Sequence, residues 1–105
     1  MLFSLSSQSA LFTPANVAQL IAAVTTSNTN GQNDTIDLGG NTFSFLTGNA
    51  NFGSPNDTAL PTITEAGFSL TIQNGIIERS LASPNSFRLI AVDTNGTLSL
   101  QNVTL

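Results

Sequence analysis

Two stretches of this chain, Ser69-Leu-Thr-Ile-Gln-Asn-Gly-Ile-Ile77 and Thr97-Leu-Ser-Leu-Gln-Asn-Val-Thr-Leu105, align at an offset of 28 residues, with identity at Leu, Gln and Asn and four conservative matches. A period of that length falls in the range of solenoids, where each repeat buries an apolar face against the next. Stacked at this offset, Leu70 lies over Leu98, Ile72 over Leu100 and Ile77 over Leu105, filling a continuous interior. Asn74 and Asn102 then occupy equivalent turns, where their amides can pair as a ladder. Chance similarity in a β-rich, low-complexity chain is the competing reading, and under it an antiparallel β-sandwich stays open.

The residues before the repeats follow a different period. Val17, Leu20, Ile21 and Val24 recur at i, i+3, i+4 and i+7, the spacing of one apolar helix face, and predict a helix over 13–26. Thr13 is the expected N-cap and Pro14 suits the first helical position. Phe12 is placed to pack on Val17 as a hydrophobic staple. The run from Thr25 to Gly31, β-branched and turn-forming, ends the helix.

After Gly31 the period falls to about two. Short β-rich segments are expected at 35–38, 41–46, 68–72, 87–92 and 97–100. Gly39-Gly40, Asn74-Gly75 and Asn95-Gly96 supply positions that tolerate positive φ for chain reversals. The stretch from Thr47 to Pro61 has no periodicity and reads as a long loop or excursion. The chain therefore divides into a lead segment at 1–12, a helix and turn at 13–30, and a β-rich body at 31–105.

Composition narrows the function classes. With 105 residues, the chain has room for one domain. No Cys and no His are present, which excludes disulfides, thiolate chemistry, imidazole metal ligands and a Ser-His-Asp relay. Arg79 and Arg88 are the only basic residues in a chain of net charge −4, too few to neutralise a run of phosphates, so no nucleic-acid partner is expected. The longest apolar run, Leu20-Ile-Ala-Ala-Val24, is far short of the roughly 20 residues of a spanning helix, so no membrane span is expected. No Lys or Arg precedes position 79, so the basic start of an export signal is absent or atypical here. Polarity comes instead from 12 Ser, 14 Thr and 12 Asn, a mix suited to extracellular or surface β-structure.

Taken in order, the helix with Leu20-Ile-Ala-Ala-Val24, then Asn33-Asp-Thr-Ile-Asp-Leu-Gly-Gly-Asn-Thr-Phe43, Leu60-Pro-Thr-Ile-Thr64, Leu70-Thr-Ile72, Ile77-Glu-Arg-Ser80, Phe87-Arg-Leu89 and Leu98-Ser-Leu-Gln-Asn-Val-Thr-Leu105 resemble the N-terminal region of bacterial right-handed parallel β-helix proteins. These are the pectin-lyase-like, polymorphic-outer-membrane-protein-like and adhesin-like surface proteins, and the resemblance covers roughly residues 14–105. It implies an all-β fold, a right-handed parallel β-helix whose first coils are closed at one end by a capping α-helix. It also implies export to the bacterial cell surface or beyond, and many further coils. One related subgroup opens the capping helix with Cys-Ser-Leu-Arg-Glu-Ala, where Ala15-Asn-Val-Ala-Gln-Leu20 stands here. Leu105 directly follows a strand-like segment, so an open C-terminal end is expected, met by further coils or by self-association.

Candidate chemistry is sparse. The acids Asp34, Asp37, Asp57, Glu65, Glu78 and Asp93 are scattered, with no Asp-x-Asp pair of the kind that glycoside-cleaving sites need, so no catalytic residues are assigned. Asp37 alternates with Ile36 and Leu38 and should face solvent, while Asp34, three residues away, can point to the other face. A calcium site would be sought at Asp34 or Asp57 among Asn-rich loops, but no ligand set is defined, and neither metal nor cofactor is expected. Arg88 could hold an acidic ligand bidentately, or pair with Glu78 or a nearby acid and tie the 80–86 excursion to the body. Phe43, Phe45, Phe68 and Phe87 read as core, whereas Phe52, alone in a polar loop, is the candidate glycan or partner contact beside Arg88. Four Asn-x-Ser/Thr sequences begin at Asn33, Asn56, Asn95 and Asn102, about the number that chance supplies in this composition.

The expected function is that of a non-catalytic β-helix module in a secreted or surface adhesin-like protein, a scaffold for glycans or surface-protein partners. The alternative is the N-terminal cap of a polysaccharide lyase or glycosidase-like β-helix enzyme whose active site lies outside this chain.

Overall fold

The computed structural model describes residues 9–46, 58–64, 66–83 and 87–105. Their elements are β1 (Ser9–Phe12), α1 (Val17–Ser27), β2 (Asn33–Asp37), β3 (Thr42–Phe45), β4 (Leu70–Arg79) and β5 (Leu98–Thr104). Phe52, Asp57 and Glu65 lie outside the described residues.

The helix starts later than Thr13. Asn16 is the N-cap: its backbone is extended at φ −153°, and its Oδ1 accepts from the Gln19 N–H at 2.9 Å. Gln19 reaches back, its Oε1 accepting from the Ala15 N–H at 2.8 Å. This reciprocal arrangement satisfies donors at the helix start as a capping box does, and Asn-x-x-Gln was its signal in the sequence. Thr13 and Pro14 sit in the approach to the helix, too early for either assigned role. Phe12 and Val17 are half-buried against the core. With Asn16 as cap they are not the flanking pair that a staple joins. Leu20, Ala23, Val24 and Ser27 form the buried face, as the apolar period requires. Near the end, the Thr25 and Ser27 hydroxyls donate to the Ile21 and Val24 carbonyls, and Asn28 closes the helix with its N–H directed at Val24.

Every strand pairing among the described residues is parallel, which removes the antiparallel sandwich. β1 lies beside β2, β2 and β3 lie successively along β4, and β5 pairs with β4 as well. The 28-residue alignment is the β4 to β5 register, with Leu70 beside Leu98 and Ile72 beside Leu100. The paired ladder runs to Ile76 beside Thr104, one residue short of the expected Ile77 and Leu105 stack. β1 was not expected, because its four residues carry no period of their own and gain a ladder only from β2. The segment expected at 87–92 contributes isolated bridges, Thr58 to Arg88 and Ile63 to Val92, in place of a full strand.

Corners differ from the simple turn expectation. Asn74, at φ 64°, bends β4 without ending it, and Asn102, at φ 57°, bends β5 at the equivalent place. Gly39 and Gly40 do adopt positive φ. Gly75 and Gly96 do not, and their requirement is space. A Cβ on Gly75 would stand 2.5 Å from the Leu38 Cβ and 2.8 Å from the Asn41 carbonyl oxygen, and one on Gly96 would overlap the Ile63 carbonyl.

Alternation along the strands builds the core. Ile36, Ile72 and Ile77 are fully buried, Leu70 nearly so, and Phe43 and Phe45 join them. Burying each such side chain contributes about 1.5–3 kcal/mol. Leu20, Ala23 and Val24 of α1 belong to the same cluster, so the helix covers this interior beside β2 and β3. Thr58, Ala59 and Leu60 are also fully buried. The end of the expected 47–61 excursion is therefore core, and its backbone is held by Ala59 N–H to the Arg88 carbonyl at 2.7 Å and Leu60 N–H to the Leu89 carbonyl at 3.2 Å. Phe68, expected inside, is 39% exposed.

One side chain extends the parallel ladder across the gap between helix and sheet. The Asn28 Nδ2 donates to the Thr62 carbonyl at 2.8 Å, and its Oδ1 accepts from the Thr64 N–H at 3.0 Å. Ile63, between them, faces the other way: its N–H donates to the Ala91 carbonyl and its carbonyl accepts from the Asp93 N–H, both at 2.9 Å. A single amide thus takes the place of a neighbouring strand for residues 62–64.

Candidate functional site

Residues that point away from the core form aligned rows on β2, β4 and β5. Thr35, Thr71 and Ser99 share one row, and Asp37, Gln73 and Gln101 the next. Parallel registry sets successive members of a row about 4.8 Å apart. The face is polar because the period of two sends Ile36, Ile72 and Leu100 to the opposite side.

Side-chain bonds order the rim of this face. Asp37 is half-buried, and its Oδ1 accepts from the Gly39 N–H at 2.8 Å. Its Oδ2 receives the Gln73 Nε2 at 3.1 Å and the Asn74 Nδ2 at 3.4 Å. The Gly39 bond, followed by that from Gln73, holds the Asp37 carboxyl below its ordinary value of 3.8; desolvation opposes them, and Asn74 adds a smaller lowering. Asn74 in turn accepts from the Asn102 Nδ2 at 3.1 Å. The amide ladder expected from the repeat is therefore present, with a carboxylate at its first rung.

Asp34 points inward, as its spacing from Asp37 allows. It is 3% exposed, with its Oδ1 accepting from the Asn30 Nδ2 at 2.9 Å. Among the described residues no three acids, His or Cys gather as a metal site. Glu78 lies beside Ser44 in the register, Arg79 beside Phe45, and Arg88 beside Thr58; all three charged side chains are exposed. Arg88 stands on the rim of the bridge region, and its role as a ligand contact stays with the sequence argument. The same holds for Phe52, which lies outside the described residues. Of the Asn-x-Ser/Thr acceptors, Asn33 and Asn102 have amides engaged with the Ser69 N–H and Asn74, while Asn95 is exposed in a turn.

One further feature escaped sequence reasoning. An open apolar groove of about 310 Å³ runs between the end of β1 and the helix, lined chiefly by Phe12, Pro14, Ala22 and Ala23. Phe12 reaches it as the last residue of β1, a strand formed only by pairing with β2, for which the sequence holds no local signal. At the outer edge of β5, Leu100 is 38% exposed although its register partner Ile72 is fully buried. No described helix is long and apolar enough to cross a membrane. Comparisons with protein-family models, with curated proteins and with solved structures find no match to this chain.

Proposed function

We propose that this chain is a non-catalytic, helix-capped module of a right-handed parallel β-helix, belonging to a secreted or cell-surface adhesin-like protein and presenting a polar strand face to glycans. The observation that carries the reading is the pair of aligned outward rows, Thr35-Thr71-Ser99 and Asp37-Gln73-Gln101. Hydroxyls, amides and one carboxylate at regular spacing on a rigid sheet match the donors and acceptors of a sugar chain. Their geometry is fixed before any ligand arrives, because Asp37 and Gln73 already hold one another, and such preorganisation limits the entropy lost on binding.

The supporting logic is positional. Function in this reading needs no convergence of acids, only a stiff scaffold whose repeat sets the spacing. The apolar rows behind the face and the helix over their first coil supply that stiffness.

The test is a glycan array probed with the purified chain, followed by calorimetry on any hit, with product analysis of the recovered sugar. The expected result is saturable binding, intact sugar, and a loss of about three- to tenfold in affinity for Gln101→Ala, as one hydrogen bond is removed. Cleaved sugar would refute the non-catalytic assignment. Binding that survives Gln101→Ala and Thr71→Ala together would refute the assigned face.

A further inference from the structure

We infer that the outer edge of β5 is a strand-addition site, and that it takes an uncharged extended segment of the pattern Leu-x-Leu-x-Asn, the pattern of β5 itself, Leu98-Ser-Leu-Gln-Asn102, running parallel with its Asn beside Asn102. The inference rests on the coil-stack reading above and names what such a stack accepts next.

Four observations carry it. Among the described residues β5 has one strand neighbour, β4, so its other edge presents those backbone donors and acceptors of Leu98–Thr104 that do not face β4. Exposed edges are ordinarily blunted by Lys, Pro or inward charges, and this strand contains none of them. The apolar row that is closed at Ile72 is open at Leu100, which is 38% exposed. Asn102 has given its Nδ2 to Asn74, which leaves its exposed Oδ1 as the acceptor for the next amide in the ladder.

Direction follows from the bends. β4 and β5 turn at Asn74 and Asn102, which lie at matching places in the ladder, and Gly75 beside Val103 resumes the pairing after the turn. A parallel partner with Asn at the same position bends where β5 bends and keeps its apolar side chains over Leu98 and Leu100. An antiparallel partner, including a second copy meeting edge to edge, sets its bend against a straight part of β5 and breaks the row. The interface β5 offers outward therefore continues the one β4 offers to β5, and the occupant shares its chemistry.

The probe is an acetylated, amidated peptide with the sequence of residues 97–105, titrated into the isotopically labelled 105-residue chain and followed by NMR. Saturable shifts confined to β5 are expected. A nitroxide on the peptide's N-terminus should broaden the Leu98 amide, and one on its C-terminus the Thr104 amide. Asn102→Ala, or replacement of the peptide's Asn by alanine, should weaken binding about three- to tenfold. Leu100→Lys, which puts a charge in the open row, should abolish it. A scrambled peptide that binds equally, a reversed broadening pattern, dimers of the chain formed through β5, or no saturation would each overturn the inference. Hydrogen exchange separates its failure from that of the underlying reading. Protected β4 and β5 amides without peptide binding overturn strand addition alone, whereas unprotected ones overturn the coil stack.

Discussion

Replacing Asn28 with alanine tests how the helix is tied to the sheet. The substitution removes the 2.8 Å bond to the Thr62 carbonyl and the 3.0 Å bond from the Thr64 N–H. It leaves helix closure untouched, because that uses the backbone N–H of residue 28. Each lost bond costs about 0.5–1.5 kcal/mol net, so Asn28→Ala should destabilise the chain by roughly 1–3 kcal/mol. At about 4–8 °C per kcal/mol for a domain of this size, the midpoint should fall by roughly 5–20 °C. Asn28→Asp keeps the acceptor for Thr64 but sets a carboxylate oxygen against the Thr62 carbonyl, so it should not restore stability. Urea unfolding by circular dichroism measures the loss, with the slope unchanged if only the native contacts are affected. Hydrogen exchange should show faster exchange at Thr64 and at Ile63, whose N–H meets the Ala91 carbonyl. A midpoint within 1–2 °C of the parent, about the effect of a neutral surface change, would refute the idea that this amide substitutes for a strand.

Gly75→Ala should cost about 1–3 kcal/mol by overpacking, since the new methyl enters the space of the Leu38 Cβ at 2.5 Å, and a denaturation midpoint equal to the parent's would count against that packing. Asn16→Ala should cost about 0.5–2 kcal/mol through the lost cap, while Thr13→Ala stays within about 0.5 kcal/mol; thermal melts of the two variants decide between the positions. Asp37 titrates below 3.8 in the folded chain, so the stability it confers is complete above that pH and is lost as pH falls through the lowered value. NMR titration of the Asp37 carboxyl carbon should give a midpoint below 3.8, and Asp37→Asn should flatten this part of the acid dependence; a midpoint at or above 3.8 would contradict the Gly39 and Gln73 bonds.

Much was legible in the sequence because it depends on residues close together or on repetition. The 3.6 period marked the buried helix face of Leu20 and Val24, and the period of two separated Ile36 and Ile72 from Asp37 and Gln73. The 28-residue repeat set the Leu70–Leu98 and Ile72–Leu100 pairs and the Asn74–Asn102 contact. Asn at both bends was readable because, among residues with a side chain, it best tolerates left-handed backbone.

What only tertiary structure decided are the contacts between residues far apart in the chain. Ser9–Phe12 became a strand because β2 gave it a ladder, and Thr58–Leu60 became core because the Arg88 and Leu89 carbonyls satisfied their backbone. Gly75 and Gly96 proved to be demands for space, set by Leu38 and Ile63, where local reading saw demands for positive φ. Asn28, 34 residues from Thr62, reads locally as a helix terminator and acts across the fold as a strand surrogate. A periodic pattern specifies which face of a segment is buried, but hydrogen-bond partners and close contacts exist only once another pass of the chain supplies them.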